Sequence, residues 1–323
     1  MPEALRSKLR SPASPRAANP MPQRGSVRVP ATSANLGCAF DCAALALGLY
    51  LDIHVTRRAD LGVDVRYQGV NPDRIPSDES NLIAATMKRI LQRWGKDYGF
   101  DLEINNQIPV GVGLGSSAAA IVGAIAAAHW LTEKELYDDE MISLATEIEG
   151  HPDNVAAAWL GGFTVAVQAN EHVVAYSSPV PDLFQVVLVI PDYALPTEKA
   201  RSVLPASYSR ADVTHNLQRA AVLAAQMFSG KVDFHSTFFD DRLHQPYRAP
   251  LMPGLGDVLS LKLPCLMGAC LSGAGPSILA FVKGKAPEVG EAICQVLREK
   301  GVEAQHHVLM PDNRGAKGWS FPV

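Results

Sequence analysis

Residues 108–130 read IPVGVGLGSSAAAIVGAIAAAHW. Gly111, Gly113 and Gly115 alternate, Ser116 and Ser117 follow, and an alanine-rich run begins. The stretch FDLEINNQIPVG (100–111) reads as a strand and the alanine run as a helix, so the glycines stand at a strand-to-helix junction. Glycine tolerates positive φ and lets backbone N–H groups come close to a ligand. The first turn of the helix adds unpaired N–H donors and a partial positive charge. Together these make a cradle for polyphosphate, and the two hydroxyls suit phosphate oxygen or a metal ion. The competing reading is close packing of helix on sheet, which would prevail for a single Gly-x-Gly. Three glycines with two serines favour phosphate. The run is not a Walker A loop, because no lysine follows Gly115. Nor is it G-x-G-x-x-G, because the third glycine comes one residue early.

Outward from this junction the chain mixes strands and helices without strict alternation, which predicts an α+β fold. SVRVPAT (26–32), CAALALGLYLDIHVTR (42–57) and LGVDVRYQG (61–69) read as strands. NLIAATMKRILQRWG (81–95) and DDEMISLATEIEG (138–150) read as helices ending at glycine. The stretch 159–169 reads as a strand, and FQVVLVIPDY (184–193) as a buried strand opening a second lobe. Two further helices, 214–230 and 286–301, precede a last strand at 303–311. The predicted division is a disordered tail over 1–25, an N-terminal ATP-binding lobe over 26–180 and a C-terminal substrate lobe over 181–323. The tail is basic and acid-poor like a transit peptide, but Glu3 and the missing amphipathic stripe leave an extension ahead of the true start equally open.

Composition excludes several classes. A 323-residue chain with 47% hydrophobic and 19% charged residues reads as an ordinary soluble globular protein of enzyme size. A net charge of −4 gives no field for nucleic acid or acidic lipid. No run reaches the roughly 20 apolar residues of a membrane span. The five cysteines form no C-x-x-C pair and are odd in number, which fits buried thiols in a reducing cytoplasm.

PVGVGLGSSAAA (109–120) resembles the central motif of the GHMP kinases. VRVPATSANLGCAFDCAALAL (27–47) and LSGAGPSILAF (271–281) resemble the family's first and third motifs, in the same order. Four more blocks are similar to the homoserine kinase branch: PATSANLGCAFD, EIEGHPDNVAAAWLGGF, PTEKAR and PYRAPLMPG. The resemblance implies a two-lobed fold, with an N-terminal lobe like the second domain of ribosomal protein S5 and a ferredoxin-like C-terminal lobe. It implies Mg²⁺-assisted transfer of a phosphoryl group from ATP to the hydroxyl of L-homoserine, on the route to threonine, by a cytoplasmic homodimer.

The resemblance also assigns residues. ATP falls on Pro109, Val110, Gly111, Val112, Gly113, Leu114, Gly115, Ser116, Ser117, Ala118 and Ala119, with Asn81 near the nucleotide or capping a helix. Ser117 and Glu147 are expected to hold Mg²⁺, a hard ion satisfied by few protein oxygens. Glu149 competes with Glu147; two apart on a helix, only one of them faces inward. Asn35, Asp41, His151, Asp153, Thr197, Arg201, Arg248 and Gly273 are expected at homoserine, the arginines on its carboxylate. Asn154 matches the branch's catalytic position, with Asp153, Glu147 and Ser117 completing the catalytic set. An amide cannot act as a base at neutral pH, so positioning and charge stabilisation are expected to carry the rate. Without the motifs, turn, cap and surface roles would explain each of these residues. Two rival readings are another GHMP kinase of mevalonate type, disfavoured by Asn154 and the arginine pair, and a non-catalytic sensor, disfavoured by retention of Ser117 and Glu147.

Overall fold

A computed structural model describes residues 24–132, 134–170, 172–182, 185–231, 233–319 and 321–322. The expected tail lies outside these residues apart from its last two. Arg24 and Gly25 already belong to the first strand, β1 (Arg24–Ala34).

β1 pairs antiparallel with β2 (Ala43–Arg57), burying Val27, Val29 and Ala31 on alternate positions. On the outer face the cross-strand partners Arg28 and Asp52 form an ion pair at 2.7 Å. The register shifts after Pro30, which cannot donate to the ladder. β3 (Val63–Gly69) and β4 (Phe100–Asn106) pair parallel to each other, and helix α1 (Leu82–Arg93) lies between them in sequence. Asn81 caps α1, its side chain accepting from Ile83 N. Helices α2 (Ser116–Thr132), α3 (Asp138–Glu149) and α4 (Pro152–Leu160) lead into the hairpin β5 (Phe163–Ala169) and β6 (His172–Ser178). α2 is buried almost all round against β1, β2, α1, α3 and α4, as a helix with no polar face must be. α4 was not expected. The segment 159–169 begins as the end of this helix, and its strand starts only at Phe163.

β7 (Gln185–Pro191) starts a second sheet. Helices α5 (Thr197–Ser202), α6 (Arg210–Ser229), α7 (Gln245–Arg248) and α8 (Leu255–Leu259) precede β8 (Leu266–Leu271) and β9 (Ile278–Val282). Helix α9 (Ala286–Arg298) then packs Val289, Ile293 and Leu297 against this sheet, and β10 (Ala304–Leu309) completes it in the antiparallel order β10-β7-β9-β8. The mixed two-sheet architecture is α+β, as read from the sequence. The chain then returns: α10 (Gly315–Trp319) packs on α4 and β1, and β11 (Phe321–Pro322) pairs with β1. The last stretch of the expected 181–323 lobe therefore belongs to the first sheet, a return that no local pattern announces. Among the described residues, no helix is long and apolar enough to cross a membrane.

Candidate active site

The glycine loop runs between the two sheets. Its φ angles are positive at Gly111 (76°), Gly113 (82°) and Gly115 (64°), a region that L side chains rarely adopt. Four successive carbonyls are tied to the protein. Gly111 O accepts from Leu195 N at 3.0 Å, Val112 O from Ser277 N at 3.2 Å, Gly113 O from Ser272 Oγ at 2.7 Å and Leu114 O from Thr32 N at 3.1 Å. The N–H groups of Gly113, Leu114, Gly115 and Ser116 find no acceptor among the described residues. A loop that turns its carbonyls to protein and leaves its N–H groups free is an anion cradle, and α2 starts from its end. The packing reading also holds. A Cβ on Gly113 would meet Ser272 O at 2.2 Å, and one on Gly115 would meet Thr32 Oγ1 at 2.0 Å.

A cavity of about 270 Å³ opens beside the loop. It brings together Asn35, Asp41, Ser117, His151, Asp153, Asn154, Thr197, Arg201, Arg248 and Gly273. Glu149 lines it and Glu147 does not. Ser117 Oγ donates to Glu149 Oε1 at 2.6 Å. Burial raises the Glu149 pKa, and the Ser117 bond partly opposes this. Glu147 points the other way, to Arg93 at 2.6 Å and Arg89 at 3.2 Å, and the Arg93 bond lowers its pKa. The expected Ser117–Glu147 pair is therefore corrected to Ser117–Glu149. As the last residue of α3, followed by Gly150 in left-handed conformation, Glu149 reaches the N-terminus of α2. Two hard oxygens 2.6 Å apart at a phosphate cradle fit Mg²⁺, which keeps most of its shell for water and phosphate. Among the described residues no group of three or more acidic, His or Cys side chains forms a self-sufficient metal cage.

Pro152 opens α4 at the position where proline's missing N–H is harmless, and this places Asp153 and Asn154 in the first helical turn. Asp153 is buried, and its Oδ1 accepts from Asn154 N at 2.7 Å and lies 2.9 Å from His151 Nδ1. That bond raises the His151 pKa. Thr32 Oγ1 donates to Asn154 Oδ1 at 2.7 Å, and Asn154 Nδ2 makes a long contact of 3.4 Å to Asp153 Oδ1, which leaves its other N–H for the cavity. Thr32, fully buried on β1, was missed by sequence reasoning; it carried no signal beyond its place in PATSANLG.

Across the cavity Asn35 is braced rather than free. Its Nδ2 donates to Gly273 O at 2.8 Å and its Oδ1 accepts from Asp41 N at 2.9 Å. Its φ of 71° is one that asparagine tolerates. Asp41 takes both Nη atoms of Arg201, at 2.9 and 3.1 Å, and this raises the Arg201 pKa. Arg248 is 1% exposed and makes no ion pair among the described residues. Its Nε donates to Ala200 O at 3.1 Å, and its Nη1 to Gly273 O and to His244 Nδ1, both at 3.1 Å. Burial, with the nearby charge of Arg201, pushes its pKa down to about 10. His244, one helical turn before Arg248 in HQPYR, was also missed.

A second cavity of about 250 Å³ shares Ser116 and Ser117 with the first and is walled by Ile83, Ile104 and Ala120. Asn81 caps α1 and also lines this cavity.

Comparison with known proteins agrees with this geometry. The profile described as GHMP kinases N terminal domain matches residues 81–162, and GHMP kinases C terminal matches residues 224–299. The homoserine kinase of Desulfitobacterium hafniense is 41% identical over 293 residues, covering 90% of this chain and 98% of the relative. That of Moorella thermoacetica is 37% identical, with the same coverage of each. The crystal structure of homoserine kinase from Cytophaga hutchinsonii superposes with a TM-score of 0.81 at 25% identity, covering 95% of this chain and all of that one. Mevalonate kinase from L. major, at a TM-score of 0.65 and 15% identity, shares the fold alone. With relatives this similar over nearly their whole length, the chain belongs to the homoserine kinase family of the GHMP kinases.

Proposed function

We propose that this protein transfers the γ-phosphoryl group of ATP to the hydroxyl of L-homoserine, giving ADP and O-phospho-L-homoserine. The observation that carries this reading is Arg248: a buried guanidinium with no carboxylate partner, on the wall of a cavity whose opposite wall is a phosphate cradle. An arginine kept out of water, with the charges of Asp41 and Asp241 nearby but no carboxylate bonded to it, suits a substrate that brings one. The Asp41–Arg201 pair beside it matches the ammonium and carboxylate of a zwitterion, and in the free enzyme each satisfies the other.

ATP places its phosphates on the N–H groups of Gly113–Ser116 and its base in the apolar cavity between α1 and α2. Ser117 and Glu149 hold Mg²⁺, which when bound neutralises charge developing on the phosphates. Asn154, oriented by Thr32 on its oxygen and by Asp153 on one N–H, presents its other amide N–H to the reacting oxygens. Asp153 is engaged by His151 and the Asn154 backbone and is assigned to orientation, not proton abstraction. The homoserine oxygen bonds to phosphorus as the β–γ bridging bond breaks, and the hydroxyl proton leaves to the transferred phosphoryl oxygens. A loose transition state needs little base assistance.

A homodimer is in keeping with exposed Val213, Leu217, Val222 and Phe228 along α6, and light scattering in solution tests it. A cytoplasmic setting is in keeping with five cysteines all present as free thiols. The deciding assay is ADP release with homoserine, mevalonate and galactose. Turnover with homoserine alone is expected, and a preference for either other substrate overturns the reading.

A further inference from the structure

We infer that His244 is a positioning residue that aims Arg248 at the substrate carboxylate by presenting a single neutral tautomer to it. The inference rests on the reading of Arg248 as the carboxylate receptor. The geometry leaves His244 little choice. Its Nε2 lies 2.7 Å from Gly37 O, a group that can only accept, so Nε2 carries the proton. Its Nδ1 lies 3.1 Å from Arg248 Nη1, a group that can only donate, so Nδ1 is the bare acceptor. A doubly protonated ring would set an N–H against an N–H and one cation against another. The surroundings hold the ring neutral. His244 is fully buried, Phe40 stacks on it at 5.2 Å, and burial lowers its pKa, opposed by the charge of Asp241 with Oδ2 3.6 Å from Nε2 and supported by Arg248.

The donor count shows what this achieves. A guanidinium has five N–H donors. Ala200 O takes the one on Nε, while Gly273 O and His244 Nδ1 take the two on Nη1. The two on Nη2 find no acceptor among the described residues and remain for the cavity. Without His244 Nδ1, Arg248 would keep two backbone carbonyls and the face of Phe40, but its second Nη1 N–H would be buried with no acceptor, and the guanidinium would shift to find one. The other ring nitrogen holds Gly37, in the same loop as Asn35 and Asp41. One imidazole thus ties together both sides of the amino-acid end of the cavity.

The two contacts can be removed separately. In His244→Asn the side-chain oxygen stands near the place of Nδ1 and can still accept from Arg248. In His244→Gln the amide nitrogen reaches the place of Nε2 and can still hold Gly37, but the acceptor for Arg248 is lost. The homoserine KM of His244→Gln is expected to rise about 10–100-fold, the loss of a hydrogen bond to a charged group. His244→Asn is expected to stay within about 3-fold of wild type, because its acceptor for the charged partner survives. The ATP KM should be unchanged in both, and so should kcat/KM for 3-aminopropan-1-ol, which lacks the carboxylate. Equal effects of Asn and Gln, or parallel changes in ATP and homoserine KM, would overturn the inference. Should both variants fail to fold, the wild type still decides. In its ¹⁵N spectrum Nδ1 of His244 must be unprotonated between pH 6 and 8, and a protonated Nδ1 overturns the proposal. Arg248→Ala separates the two levels. If it leaves the homoserine KM unchanged, the carboxylate reading and this inference fall together. If it raises that KM while His244→Gln does not, only the role of His244 falls.

Discussion

Alanine substitutions along the glycine loop divide backbone strain from damage to the catalytic amide. Gly111→Ala and Gly115→Ala both force a Cβ onto positive φ, at 76° and 64°. That strain alone costs about 1 kcal/mol. At Gly111 the new methyl meets only Ala194 Cβ at 3.4 Å, an ordinary contact. At Gly115 it falls 2.0 Å from Thr32 Oγ1 and 3.0 Å from Asn154 Oδ1. The hydroxyl must move by more than an ångström, and its 2.7 Å bond to Asn154 cannot survive. A lost hydrogen bond with a buried group left unsatisfied adds about 1–3 kcal/mol. Gly115→Ala should therefore lose about 2–4 kcal/mol of unfolding free energy and Gly111→Ala about 1. Urea denaturation measures both. In the ADP-release assay Gly115→Ala should lose kcat about 10–100-fold, the equivalent of roughly 1.4–2.8 kcal/mol of misdirected amide, while Gly111→Ala stays near wild type. Adding Thr32→Ala to Gly115→Ala removes the collision with the hydroxyl but leaves Asn154 Oδ1 without its donor, so neither full stability nor kcat should return, and Thr32→Ala alone should lose kcat to a similar degree. If Gly115→Ala matches Gly111→Ala in both measurements, or Thr32→Ala alone keeps wild-type kcat, Thr32 does not orient Asn154.

Three further outcomes follow from the site. Glu149→Gln should raise the Mg²⁺ concentration needed for half-maximal rate and lower kcat by about 10²-fold or more, the scale of losing one preorganised charge stabiliser. Glu147→Gln breaks only two exposed ion pairs, worth about 0.2–1 kcal/mol each, and should leave the Mg²⁺ titration unchanged; the reverse result would return the metal to Glu147. The His244 pKa is lowered in the fold to about 4, so the unfolded chain binds more protons below about pH 6.5. Stability should therefore fall as pH drops through this window, by at most about 1.4 kcal/mol per pH unit from this group, and the slope should flatten in His244→Asn; identical slopes would contradict a buried neutral ring. Arg248→Ala should reduce kcat/KM for homoserine by about 10²-fold or more while leaving that for 3-aminopropan-1-ol unchanged or somewhat raised, so that most of the preference for the carboxylate disappears. Retention of the preference would place the carboxylate elsewhere.

The sequence made the strand–glycine–helix junction legible because glycine spacing reports backbone conformation directly. It also held α1, α3 and α9, whose apolar positions recur at helical spacing. It concealed α4, because Pro-Asp-Asn reads equally as a turn and as a first helical turn. It concealed the return of β11 to β1, a pairing between residues almost 300 apart whose register no local pattern records. Within the site, most of the residues the motifs singled out meet at one cavity, but the motifs could not say which way each one pointed. Glu147 and Glu149 are chemically identical, and only the end of α3 against the start of α2 separates them. Thr32 and His244 were overlooked because each acts through a neighbour, and a hydrogen bond across 122 residues leaves no trace in spacing.

Asp41, Arg201 and Arg248 are among the charged side chains that line the cavity, and they are arranged unequally. Arg201 and Asp41 are partly exposed and cancel each other, so water and mutual contact keep them stable in the free enzyme. Arg248 is buried, and the fold surrounds it with neutral acceptors: two carbonyls and one imidazole nitrogen. A carboxylate placed by the protein next to Arg248 would relieve its desolvation, but it would also occupy the Nη2 donors and compete with substrate. Neutral acceptors orient the guanidinium without satisfying its charge. The fold thus keeps a cation in a low-dielectric setting where its attraction for an arriving carboxylate is strong. The same arrangement penalises a ligand that lacks the carboxylate, since binding such a ligand would cover Nη2 with nothing to accept from it. Selectivity for an amino acid over a bare amino alcohol therefore follows from leaving one buried charge incomplete.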